Sequence, residues 1–136
     1  MSIESDHPLI LLPEHLAVCR LAPEAPYPEW ARYSQMLGLI QTRDELTVIC
    51  AERFVPPEIK AERGWRAIMV EGPLDFALVG VLASITGCLG GAGVSVFAIS
   101  TFDTDYVLVK ESALDKAVQA LGQSGFLVMQ HVDLPS

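Results

Sequence analysis

Residues 71–111 read EGPLDFALVGVLASITGCLGGAGVSVFAISTFDTDYVLVKE, and the order of signals in this stretch sets the fold: turn, helix, strand, strand. Pro73 and Asp75 are helix-start residues, because proline is tolerated in the first helical turn and aspartate caps its unpaired N–H groups. Leu78, Val81, Leu82, Ile85 and Leu89 then recur at helical spacing, and Ala77, Gly80, Ser84, Gly87 and Gly91 form a second stripe of small residues. One face packs on a core, while the other allows close approach. Gly90, Gly91 and Gly93 end the helix. Residues 94–100 and 105–111 are rich in β-branched and aromatic side chains and read as two strands, joined tightly by Thr101-Phe102-Asp103-Thr104.

On either side the pattern continues. Residues 65–72 alternate as a strand, with Ile68 and Val70 on one face and Trp65, Ala67 and Met69 on the other. Ser112 and Asp115 approximate a capping box for a helix bearing the apolar stripe Leu114, Ala117, Val118 and Leu121, closed by Gly122 or Gly125. Residues 126–132 supply a last strand, so the order from Trp65 is β-α-β-β-α-β. Upstream, 9–12 and 16–21 are short apolar runs that Pro13 is expected to separate. Pro23, Pro26 and Pro28 leave room for one helical turn at 29–33. Residues 36–41 and 45–51 form a second hairpin, whose QTRDELTVICAE echoes STFDTDYVLVKE at matching offsets. Pro56 and Pro57 open a brief helix over 58–63, broken by Gly64. A hairpin that occurs twice predicts a tandem, pseudo-symmetric chain whose first copy has lost much of its first helix to prolines.

Composition narrows the function classes. Half the 136 residues are hydrophobic and 19% are charged, which gives a folded chain able to bury one core or two small ones. The net charge of −8 repels a phosphate backbone, so nucleic acid and anionic membrane are poor partners. No apolar run reaches a membrane span, and the first residues lack a signal-peptide pattern. Cys19, Cys50 and Cys88 are odd in number, widely spaced and set among apolar residues, which predicts buried free thiols in a reducing, cytoplasmic setting.

Candidate chemistry is that of binding. His7, His15 and His131 have no metal-ligand spacing with one another or with the cysteines, and neither a nucleophile–base pair nor a GxxxxGK loop is present. The expectation is therefore no enzyme, no metal and no cofactor. Gly72, Leu74, Asp75 and Phe76 lie on a strand-to-helix turn, where a helix N-terminus offers N–H groups to an anion such as an α-carboxylate. An ordinary βα turn is the plainer reading. Asp105 begins a strand beside a hairpin, placed to pair with a ligand's ammonium or guanidinium; alternatively it is a turn aspartate that hydrogen-bonds locally.

GPLDFALVGVLASI followed by ISTFDTDYVLVKE resembles the ACT domains of small bacterial tandem-ACT proteins, related to the animal cytosolic arginine sensors, over about 65–132. The resemblance implies an α+β, ferredoxin-like βαββαβ ACT domain at 64–136, preceded by a degenerate ACT-like half at 1–63. It further implies a non-catalytic, allosteric regulatory protein that binds an amino acid or similar metabolite at an inter-domain or inter-subunit interface. Val79, Gly80 and Val81 would border the ligand, with Gly80 allowing approach to a helix backbone, and Thr101, Phe102 and Asp105 would line it. Asp103 departs from the animal pattern and adds a carboxylate. A degenerate first half implies a homodimer that completes the pocket. A regulatory subunit using the fold only for protein contacts is the alternative.

Overall fold

A computed structural model describes residues 8–70 and 80–130. The chain runs β1 (Leu9–Leu21), β2 (Gly38–Gln41), β3 (Leu46–Ala51), β4 (Ala61–Val70), α1 (Val81–Gly91), β5 (Phe97–Ser100), β6 (Asp105–Lys110), α2 (Leu114–Gln123) and β7 (Val128–Gln130), with single 3-10 turns at Glu29–Ala31, Glu52–Phe54 and Glu111–Ala113. From β4 onward this is the expected β-α-β-β-α-β order. Two compact units result: Glu14–Trp65, and the residues from Arg66 on together with those up to Pro13. β1 and β4 each run from one unit into the other.

The larger unit is α+β and ferredoxin-like. Its strands lie in the order β7-β1-β4-β6-β5, with β7 parallel to the first residues of β1 through Leu9↔Val128 and Leu11↔Gln130. The N-terminal segment thus occupies a place between β7 and β4. Val81, Ile85 and Leu89 are buried along one stripe of α1, and Ala117 and Leu121 along α2. They pack with Leu9, Leu11, Ile68, Val70, Val107, Val109 and Phe126 into one core. Each buried aliphatic side chain there contributes about 1.5–3 kcal/mol relative to exposure. Ser84, Gly87 and Gly91 face outward, as the small-residue stripe predicts.

The unit 14–65 is built from the later part of β1, the hairpin β2–β3 and the start of β4, around a small core of Ala17, Cys19, Ala31, Leu46, Val48, Cys50 and Val55. Its hairpin repeats that of the larger unit. β2–β3 is registered Gly38↔Ile49 to Gln41↔Leu46, and β5–β6 Phe97↔Leu108 to Ser100↔Asp105, the same pairing at a shift of 59 residues (Gln41 to Ser100). The strand bounds and the 3-10 turn that follows each hairpin coincide under that shift. The turns share their closing bonds, and the first has one more, from Asp44 N–H to Thr42 Oγ1 at 3.2 Å. Thr42 N–H donates to Glu45 O at 2.8 Å and Thr101 N–H to Thr104 O at 2.8 Å; each threonine Oγ1 also accepts the N–H three residues on, at 3.2 and 3.1 Å.

Several local expectations give way to tertiary context. β1 passes through Pro13 unbroken. On the edge that β1 shares with β7 and β3, the register with β7 ends at Leu11 and that with β3 begins at Leu16, so on that edge Pro13 falls between two ladders, where a missing N–H costs little. Residues 58–63 form no helix: Ile59 N–H closes a turn on Pro56 O, and Ala61 already belongs to β4. Gly64 does not end that segment but sits inside β4 at φ 80°, its N–H held by Glu52 Oε1 at 2.6 Å. Ser112 caps nothing, because Glu111–Ala113 form a 3-10 turn and α2 starts from Ala113 without a side-chain cap. The first long helix does not start at Pro73 or Asp75: α1 begins at Val81, because Gly80 before it is left-handed at φ 93° and cannot continue a helix from upstream; Pro73 and Asp75 themselves lie outside the described residues.

Candidate functional site

The β5–β6 turn carries three of the candidate residues. Thr101 locks the turn through its N–H, and its hydroxyl both accepts from Thr104 N–H and donates to Thr104 O, each at 3.1 Å. A four-residue link tied at both ends holds its central residues outward, and Phe102 is 81% exposed. Ser100 and Asp105 face each other as the closing pair of the hairpin, and Ser100 Oγ donates to Asp105 Oδ1 at 2.6 Å. Asp105 is therefore a cross-strand acceptor that orients its carboxylate beside the turn, and not an aspartate bonded to its own loop backbone. Ser100 was absent from the sequence candidates. The signal for it was legible, since residues flanking a four-residue hairpin link stand opposite one another.

Gly80 and Val81 stand at the N-terminal end of α1. Gly80 is not inside the helix: its φ of 93° makes it the left-handed residue that precedes it, and its carbonyl accepts the first helical bond, from Ser84 N–H at 2.8 Å. A Cβ at Gly80 would meet nothing within 4 Å, so backbone conformation is what requires glycine there. Val81 is buried, with its side chain in the core, so what it offers to the surface is backbone at a helix start. Gly72, Leu74, Asp75, Phe76 and Val79 lie outside the described residues. Among the described residues no three His, Cys, Asp or Glu side chains gather as a metal set.

Comparison with known proteins attaches these elements to a family. The profile of the ACT domain family matches residues 60–123, from the start of β4 to the end of α2. Residues 60–123 are an ACT domain. Residues 14–58 match a separate profile for an N-terminal domain, which lies within the smaller unit and starts where it starts. The cytosolic arginine sensor for mTORC1 subunit 1 of Homo sapiens, and that of Bos taurus, is 38% identical over 58 residues, 42% of this chain and 18% of the sensor. The chain thus matches less than a fifth of those relatives' length.

Among solved structures, a protein from Agobacterium tumefaciens is similar over 96% of this chain and 97% of its own, with a TM-score of 0.87 and 26% identity. The regulatory subunit of aspartate kinase from Thermus thermophilus shares the fold at a TM-score of 0.60 and 10% identity, over 82% of this chain and 93% of that one. No described helix is long and apolar enough to cross a membrane.

Proposed function

We propose that the protein is a non-catalytic, cytoplasmic regulatory protein whose ACT domain binds a free amino acid, with the ligand held at an inter-domain or inter-subunit interface of a homodimer. The observation that carries this reading is the hairpin of the ACT domain: a carboxylate oriented by Ser100 and an exposed aromatic ring at Phe102 on one turn fixed by Thr101. A carboxylate and an exposed ring on the same hairpin suit an ammonium or guanidinium group, through a charge-assisted hydrogen bond and ring contact. Similarity to arginine sensors makes arginine the first ligand to test, and Asp103 adds a second negative charge on the same turn.

The backbone at the start of α1 would meet the α-carboxylate, as unpaired N–H groups at a helix N-terminus favour an anion. Binding regulates only if the two states of the assembly hold the ligand with different affinity, so the ligand is expected to shift a dimer or partner equilibrium.

Equilibrium dialysis of labelled arginine, with leucine and glutamate as competitors, tests the reading. Saturable uptake displaced by unlabelled arginine supports it. No uptake of any of the three at millimolar concentration favours a module that works through protein contacts alone.

A further inference from the structure

The hairpin of the unit 14–65 carries an oriented carboxylate of its own, on a cleft of that unit. Along β1 and β3, Ala17, Cys19, Val48 and Cys50 belong to the small core. Strand alternation therefore sets Val18, Arg20 and Thr47 on the opposite face, with Arg20 directly across from Thr47. The start of β4 joins them there. Arg20 N–H donates to Lys60 O at 2.9 Å, and Ala61 packs on the core, which turns its neighbours Lys60 and Glu62 to the other side. With Glu45, the last residue of the β2–β3 turn, Val18, Arg20, Thr47, Lys60 and Glu62 line a cleft of about 240 Å³.

Opposite charges gathered around one cleft can collapse onto each other, but here local bonds hold them in place. Arg20 Nη2 donates to Asp44 O at 3.2 Å, and Thr47 Oγ1 donates to Glu45 Oε1 at 3.0 Å. Among the described residues, neither Arg20 nor Lys60 forms an ion pair with Glu45. The cleft thus offers both signs of charge, with apolar surface from Val18 and the stems of Arg20 and Lys60. An ion of one sign would meet a like charge in the lining, whereas a zwitterion satisfies both. The volume lies below the roughly 300–1,000 Å³ of pockets for drug-sized ligands, which limits the occupant to one small metabolite. The ACT domain uses the same device at the equivalent hairpin, where a hydroxyl, Ser100 Oγ, orients Asp105.

We propose that this cleft is a second binding site for a free α-amino acid, one with an uncharged aliphatic side chain. The α-carboxylate meets Arg20 and Lys60 and the ammonium meets Glu45, through charge-assisted hydrogen bonds, while the side chain lies on Val18. The site differs from the β5–β6 hairpin both in unit and in ligand, because the acidic turn of the ACT domain suits a basic side chain. The cleft is about half open to solvent, which screens its charges, so millimolar affinity is expected.

The test titrates nitrogen-15-labelled full-length protein with L-valine and follows amide correlation spectra. Saturable shifts are expected at Val18, Arg20, Thr47 and Glu62, and they are expected to persist in Asp105→Asn. Glu45→Gln keeps an oxygen for Thr47, and Lys60→Gln breaks no side-chain bond among the described residues, so both variants are expected to fold. Each is expected to raise the Kd about tenfold, the loss of one hydrogen bond to a charged group. Isovalerate, which lacks the ammonium, and isobutylamine, which lacks the carboxylate, are expected to bind at least about tenfold more weakly than valine. No saturable shift at these residues, or an unchanged Kd in both variants, would overturn the proposal, as would either analogue binding as tightly as valine. Shifts confined to residues 97–110 and lost in Asp105→Asn would overturn this site and leave the ACT-domain reading standing. Valine binding at the cleft without arginine uptake would uphold this site and count against that reading.

Discussion

Replacing Asp105 with asparagine separates ligand recognition from fold. The side chain keeps an oxygen where Ser100 Oγ donates at 2.6 Å, so the closing pair of the hairpin retains its bond and loses only charge. The bond is exposed, and a net change in stability below about 1 kcal/mol follows. A ligand cation loses a hydrogen bond to a charged group, about 1.5–3 kcal/mol, which is roughly a 10- to 150-fold rise in Kd. Calorimetric titration of both proteins with the amino acid that binds the wild type best measures the ratio, and a urea melt measures the stability. Affinity within about twofold of wild type would refute the placement of the ligand cation at Asp105, and a melt shifted by several kcal/mol would refute the claim that the residue is not structural.

Further substitutions probe how the chain is built. Thr42→Val and Thr101→Val both remove the hydroxyl's bonds to the residue three on, and Thr42→Val also removes one from Asp44 N–H; each is expected to cost about 1 kcal/mol in a urea melt, and a difference of several kcal/mol would contradict the equivalence of the hairpins. Gly64→Ala meets no atom within 4 Å, so its expected cost of about 1–2 kcal/mol is backbone strain at φ 80°. Gly87→Ala, in open space on the outer face of α1, is expected to stabilise by about 0.5–1 kcal/mol, and opposite signs for the two glycines in one melt check both. Leu89→Ala empties a fully buried site between α1 and the sheet and is expected to cost about 2–5 kcal/mol.

Much of this architecture was legible where local pattern and tertiary packing agree. The apolar stripe of α1 and the twin hairpins each follow from side-chain periodicity, and they formed as the pattern predicts. Pattern failed where partners decide. Pro13 reads as a breaker on its own, yet on the edge shared by β7 and β3 it falls in the gap between the two ladders, and the strand runs through it. Gly64 reads as a stop but supplies the left-handed backbone that lets Glu52 reach its N–H. Ser112 and Asp115 satisfy a capping spacing in sequence, and the 3-10 turn before α2 makes the cap unnecessary. The site was half legible. Thr101, Phe102 and Asp105 share one hairpin, and Ser100 follows from the same four-residue link, which sets it opposite Asp105, whereas Gly72, Leu74, Asp75, Phe76 and Val79 lie outside the described residues.

The most direct test of amino-acid recognition is a thermal-shift screen of the purified protein against the twenty amino acids. A ligand bound only by the folded state adds about 2.7 kcal/mol of apparent stability at a hundredfold excess over its Kd. A selective rise in Tm with one amino acid or one chemical class, strongest for those with a basic side chain, is the expected result. Twenty flat curves at millimolar concentration would contradict it.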